Sequence, residues 1–167
     1  MNKSIYIAVL FFSLLFLQVF VLNKVNFLGY VNPYLYVTFV IFYPLKKERY
    51  LFLLLAFLLG VFIDIFSDSG GAHASSLLSI AYLRLFFVKL IFKKTEFDYV
   101  LFKLHEEPFG KVFNYVIILT VIHHFIFFSL ANFSLYNFSY VLLNTLYSSI
   151  FTIVLYFLST YIIRLKK

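Results

Sequence analysis

Seven acidic side chains, four histidines and no cysteine set the chemistry open to this chain. Thiolate metal sites, disulfides and cysteine nucleophiles are excluded at once. Asp64 and Asp68 are the carboxylates that invite a general acid–base reading. Such a pair must share a proton across facing segments, with like charges held close. Two aspartates four residues apart at one helix end, with no second motif, do not supply that arrangement. His123 and His124 are adjacent, so on a helix they point about 100° apart and do not readily chelate one ion. A metal would need helical spacing and a third ligand, so no metal or other cofactor is expected. One of these histidines is expected to hydrogen-bond across helices instead. Gly70-Gly71 would cradle a phosphate only with a following helix carrying a suitably placed lysine, and a tight turn is the better reading. Glu106-Glu107 reads as solvated charge. No catalytic residue is assigned.

The elements that hold these residues follow from composition. Hydrophobic residues make up 63% of the 167-residue chain and charged residues 13%. A soluble globule of this size must cover itself with polar side chains, and they are missing here. Six membrane-crossing helices of about 20 residues each would use most of the chain and leave no room for a folded soluble domain. The expected fold is all-α: a polytopic integral membrane protein and a single membrane domain over 1–167. Its spans are expected at 4–22, 28–45, 50–66, 72–92, 112–130 and 138–163, with a polar loop at 93–111. The first run is longer than a cleavable signal core and lacks a small-residue cleavage site. The second is interrupted at Asn32-Pro33, which predicts a kinked or re-entrant start and then a helix from Pro33 to Leu45.

The cations set an orientation. Lys3, Lys46, Lys47, Arg49, Lys93, Lys94, Lys103, Lys111, Arg164, Lys166 and Lys167 fall on one side, and only Lys24 falls on the other. Arg84 and Lys89 lie within the fourth span. By the positive-inside rule both termini are cytoplasmic, and the net charge of +7 needs no nucleic-acid partner.

Ionisable groups inside a span are costly and mark candidate sites. The helical rise puts Asp64, His123, His124 and Asn144 each about 9–10 Å below the outer surface, so three spans bring polar groups to one layer. Asp64 reads either as a buried packing or ligand-contacting carboxylate, or as a partly wet helix stop. Arg84 reads either as a partner for Asp64 or, the favoured reading, as snorkelling toward the cytoplasmic headgroups beside Lys89.

Asn32-Pro33-Tyr34-Leu35-Tyr36 and the stretch LLAFLLGVFIDIFSDSGGAHA over 54–74 carry a resemblance. The chain resembles the rod shape-determining membrane protein family MreD, in the form found in Bacteroidetes-type bacteria. The family pattern is a glycine, an aspartate four residues on, a polar turn with glycine, then a small or His-Ala helix start. Gly60, Asp64, Gly71, His73 and Ala74 match it, with Asp68 and Gly70 in the turn. Leu83-Arg84, His123-His124 and Asn144 are also similar, although the proline often found shortly after such an asparagine is missing. The resemblance implies a non-enzymatic scaffold of the cell-elongation machinery that binds the bitopic protein MreC. The wider complex would include MreB, RodA and a class B penicillin-binding protein. It also implies a fold similar to the substrate-binding subunits of energy-coupling-factor transporters, so a vitamin-binding transporter subunit is the alternative. On this reading the groove around the Asp64–His73 turn and the His123/Asn144 layer receives part of MreC.

Overall fold

The computed structural model describes residues 3–25, 31–45, 49–93, 102–132 and 138–165. The cations Lys46, Lys47, Lys94, Lys166 and Lys167, and the outer loop at 133–137, lie outside the described residues. Six α-helices follow in order: α1 (Lys3–Phe16), α2 (Thr38–Phe42), α3 (Tyr50–Ser67), α4 (Ala72–Phe92), α5 (Phe109–Asn132) and α6 (Phe138–Leu165). Helix α1 continues through a π turn, Leu17–Val21, and a 3-10 turn, Leu22–Lys24. Five helical segments, Ser4–Lys24 and those built on α3 to α6, are long and apolar enough to cross a membrane. The chain is an all-α, multi-pass membrane protein.

The second run departs from expectation. Among its described residues the helical part is a 3-10 turn, Leu35–Val37, running into α2 and ending at Phe42. Two prolines bound it. Pro33 has no amide to continue a helix backward, and Pro44 drives the preceding Tyr43 into extended backbone (φ −60°, ψ 134°). The helix expected over Pro33–Leu45 is therefore cut at both ends. What remains is non-helical at 31–34, then helical, then extended at Tyr43, and non-helical residues can gain more depth each than the roughly 1.5 Å of a helix. This segment is the centre of the molecule: Tyr36, Val37, Phe39 and Val40 are wholly buried. Helix α5 starts at Phe109 rather than 112, because the Pro108 carbonyl accepts from the Lys111 and Val112 amides and opens the helix earlier.

Around this segment α3, α4, α5 and α6 pack as sequential antiparallel neighbours. Ser76 meets His123, Arg84 meets Tyr115, and Phe113 meets Phe157. Helix α1 runs parallel to α3, with Phe11 against Phe62 and Asn23 bonded to Ser67. One end of the bundle thus gathers Arg49, Lys93, Lys103 and Lys111, and the other carries Lys24. In the polar loop Lys103 bonds Glu106 at 2.7 Å and holds its exposed carboxyl below the usual range, as expected of solvated charge.

The exterior is apolar, with Phe12, Phe16, Leu54, Phe86, Leu143 and Val154 among many large exposed side chains. That is the surface of a protein whose solvent is hydrocarbon. Helices α3 and α4 approach closely at Gly60. A Cβ on Gly60 would lie 2.4 Å from the Ala74 Cα and 2.7 Å from its nitrogen. Small residues permit such an approach in membranes, where packing rather than water drives helix association. Gly60→Leu should therefore separate the hairpin and lower stability by about 3 kcal/mol, whereas Gly110→Ala, with nothing within 4 Å, should be close to neutral. Unfolding in mild detergent measures both.

Candidate functional site

The polar groups of the spans meet inside the bundle. Asp64, in the last turn of α3, is 7% exposed and turns to the start of α4. Its Oδ1 accepts from the Ser69 hydroxyl at 2.6 Å and the His73 amide at 3.0 Å, and its Oδ2 accepts from the Ala74 amide at 2.8 Å. First-turn amides have no acceptor within their own helix, and a carboxylate there also meets the positive end of the helix dipole. Asp64 thus supplies from α3 the cap that α4 lacks, since Gly71 at the N-cap position has no side chain. The turn between them needs three left-handed residues, Asp68 (φ 50°), Gly70 (φ 62°) and Gly71 (φ 91°), which is why glycine occupies two of them. Asp68 is exposed and takes no part in the buried cluster. Of the two readings of Asp64, the buried packing carboxylate is the one seen.

One turn deeper, the Tyr36 hydroxyl lies between His73 Nδ1 (2.6 Å) and His123 Nε2 (2.9 Å), and Ser76 Oγ is 3.0 Å from the same His123 nitrogen. Counting protons orders the set. Ser76 donates to the His73 carbonyl at 3.1 Å, so its oxygen and that of Tyr36 both accept from His123 Nε2–H. Tyr36 then donates to His73. His123 Nδ1 is left buried with no partner among the described residues. His124 faces away, toward α6. Its Nδ1–H donates to the Thr120 carbonyl at 2.7 Å, and its Nε2 accepts from the Thr152 hydroxyl at 3.2 Å. Both adjacent histidines therefore bond across helices, where one was expected.

Two further groups serve the irregular segment. Gln18, held in the π turn and wholly buried, donates from Nε2 to the Pro33 carbonyl at 3.1 Å and to Asn23 Oδ1 at 2.8 Å. Thr152 accepts the Tyr34 amide at 3.0 Å. At the basic end Arg84 donates to the Tyr43 and Ile41 carbonyls and to the Tyr115 hydroxyl, with its guanidinium 5.1 Å from the Phe52 ring centre. Neither reading of Arg84 holds. At 3% exposure it does not snorkel, and its contacts are carbonyls at the end of α2 rather than Asp64. The reason is the helix break at Pro44, which leaves carbonyls that a guanidinium can satisfy.

Asn144 stays outside the layer. It is buried, but its amide donates to the Tyr140 carbonyl of its own helix at 3.0 Å, and α6 reaches the cluster through Thr152 instead. Gln18, Ser76 and Thr152 were not singled out by sequence reasoning, and Tyr34 and Tyr36 entered only within the motif of the resemblance, with no role assigned. Gln18 had a signal, as the one glutamine of the chain in an otherwise apolar run; Tyr36 was hidden among 14 tyrosines.

Asp64→Ala strands two helix amides and should destabilise the protein by about 3 kcal/mol. Tyr36→Phe should cost about 1 kcal/mol, the usual scale for an interhelical hydrogen bond in a membrane. Unfolding midpoints of the purified variants test both. Comparison of the chain with family models, with curated proteins and with solved structures finds no match in any of the three.

Proposed function

We propose that this chain is a non-enzymatic membrane component of the bacterial cell-elongation complex, acting in cell-shape determination and lateral peptidoglycan synthesis by binding MreC. The observation that carries the reading is that the residues of the resemblance act as one unit. Gly60 admits Ala74, and Asp64 caps the helix that Gly71 and His73 begin. A motif scattered over 15 positions of sequence thus has one physical purpose, which supports treating it as a family signature rather than chance.

The hydrogen bonds of the buried groups support a scaffold. Asp64, His73, His123, His124 and Arg84 all bond to the chain's own backbone or side chains. The surface left for partners consists of lipid-facing helix faces and short turns. The segment over 31–42 fills the space beneath the Asp64–His73 turn, so in this proposal MreC meets the outside of that turn, at Asp68 and Gly70, rather than the buried side chains. MreC is bitopic, and its membrane helix or the stretch just outside suits such a surface. MreB, RodA and a class B penicillin-binding protein would join through the wider complex. The basic end faces the cytoplasm of the bacterial inner membrane, by the preference of Lys and Arg for that side.

Recovery of the chain with tagged MreC from membranes tests this. Wild type should co-purify, Asp68→Lys should reduce recovery about tenfold while leaving the fold intact, and Lys103→Glu at the far end should leave recovery unchanged. Depletion should make rod-shaped cells round. A folded chain that recovers no MreC, with cell shape unchanged and a vitamin bound instead, would select the transporter-subunit alternative.

A further inference from the structure

A second polar feature lies away from the Asp64 turn, at the basic end of the bundle. The end of α2, the start of α3 and the middle of α4 line a narrow, open-mouthed niche with room for about one water-sized group, such as a single oxygen of a larger ligand. Tyr43, Pro44, Phe52, Arg49 and Arg84 are among its walls. The Arg84 guanidinium spends Nε on Tyr115 and Nη2 on two carbonyls, and no described hydrogen bond uses Nη1. Arg49 is half-buried, and its side chain has no hydrogen bond or ion pair among the described residues. The described ion pairs belong to Glu106, in the polar loop. Two guanidinium groups therefore flank one opening, with donors unspent and no carboxylate among its described lining residues.

Carbonyls and an aromatic face orient Arg84 but carry no net negative charge. A buried cation calls for a counter-charge. The guanidinium fork matches the oxygens of a phosphate. The pocket sits where Arg49, Lys93, Lys103 and Lys111 collect, which is the headgroup level of one leaflet. Beside it α3 exposes Leu51 and Leu54, and α4 exposes Phe86 and Leu90, an apolar surface for acyl chains. The described lining residues offer no acid to receive a choline or ethanolamine cation. We infer that this pocket seats the phosphodiester of an anionic phospholipid, of the phosphatidylglycerol class, between Arg84 and Arg49. The lipid then completes the charge balance of the site that holds the end of α2.

The full chain, stripped of lipid and placed in phosphatidylcholine nanodiscs, is titrated with phosphatidylglycerol while lipid binding and the unfolding midpoint are read. Wild type should bind it and gain stability. Arg49→Gln, which breaks no described contact, should bind roughly fivefold more weakly, and Lys103→Gln should change binding less than about twofold. Arg84→Lys keeps the charge but loses the fork and should also weaken binding. Equal affinity in wild type and Arg49→Gln would overturn the site. An equal gain from inorganic phosphate would overturn the lipid as its occupant, and an equal gain from added phosphatidylcholine would overturn the requirement for an anionic headgroup.

Discussion

A backbone that leaves the helix at membrane depth must find hydrogen-bond partners other than its own, because hydrocarbon offers none and each unmatched amide or carbonyl costs several kcal/mol. The segment over 31–45 is such a backbone, broken by Pro33 and Pro44, and the rest of the structure is arranged to meet its needs. Gln18 from the first span takes the Pro33 carbonyl, Thr152 from the last takes the Tyr34 amide, and Arg84 takes the carbonyls of Ile41 and Tyr43. The π turn in the first span belongs to the same arrangement, since it is the turn that holds Gln18 against the segment.

The hairpin of α3 and α4 is the second fixed element. Gly60 removes the side chain that would keep the helices apart, and Asp64 then reaches the amides of His73 and Ala74. Close approach and capping depend on each other: a carboxylate on a helix held farther away could not reach both amides. With α4 fixed in depth and rotation, His73 and Ser76 face the Tyr36 hydroxyl and Arg84 faces the end of α2. A molecule organised this way keeps its polar groups inside a largely apolar core and shows an apolar exterior, and it can act on partners through surfaces that lipid also touches. The proposed scaffold role rests on that, and the lipid proposed at Arg49 and Arg84 would be an added partner on the opposite side.

Much of this was legible in the sequence. Apolar runs of spanning length lie within three residues of the ends of five helical segments, since hydrocarbon thickness limits the length of a span. The break at Asn32-Pro33 and the burial of Asp64 were legible for the same reason, as departures from that pattern. Pro44 was the missed signal: it ends α2 early, and the carbonyls it frees explain why Arg84 is held against the chain's own backbone rather than extended into solvent. Asn144 misled because depth was counted from the helix end: it is buried, but Thr152, eight residues and about 12 Å farther along α6, is the residue level with His124. Tyr36 and Gln18 were illegible as partners, because which side chains converge on an irregular backbone depends on its path, and periodicity does not encode that path.

Amide hydrogen exchange over residues 31–43, in detergent or nanodiscs, measures most directly whether this broken segment is core. If the helices around it satisfy its backbone, the Tyr34 amide and those of α2 exchange as slowly as the middle of α4, and Thr152→Val accelerates Tyr34 in particular. Exchange as fast as in the loop at 102–106, or a Tyr34 amide indifferent to Thr152, would mean that the segment is not held by its neighbours and that the bundle is organised around something else.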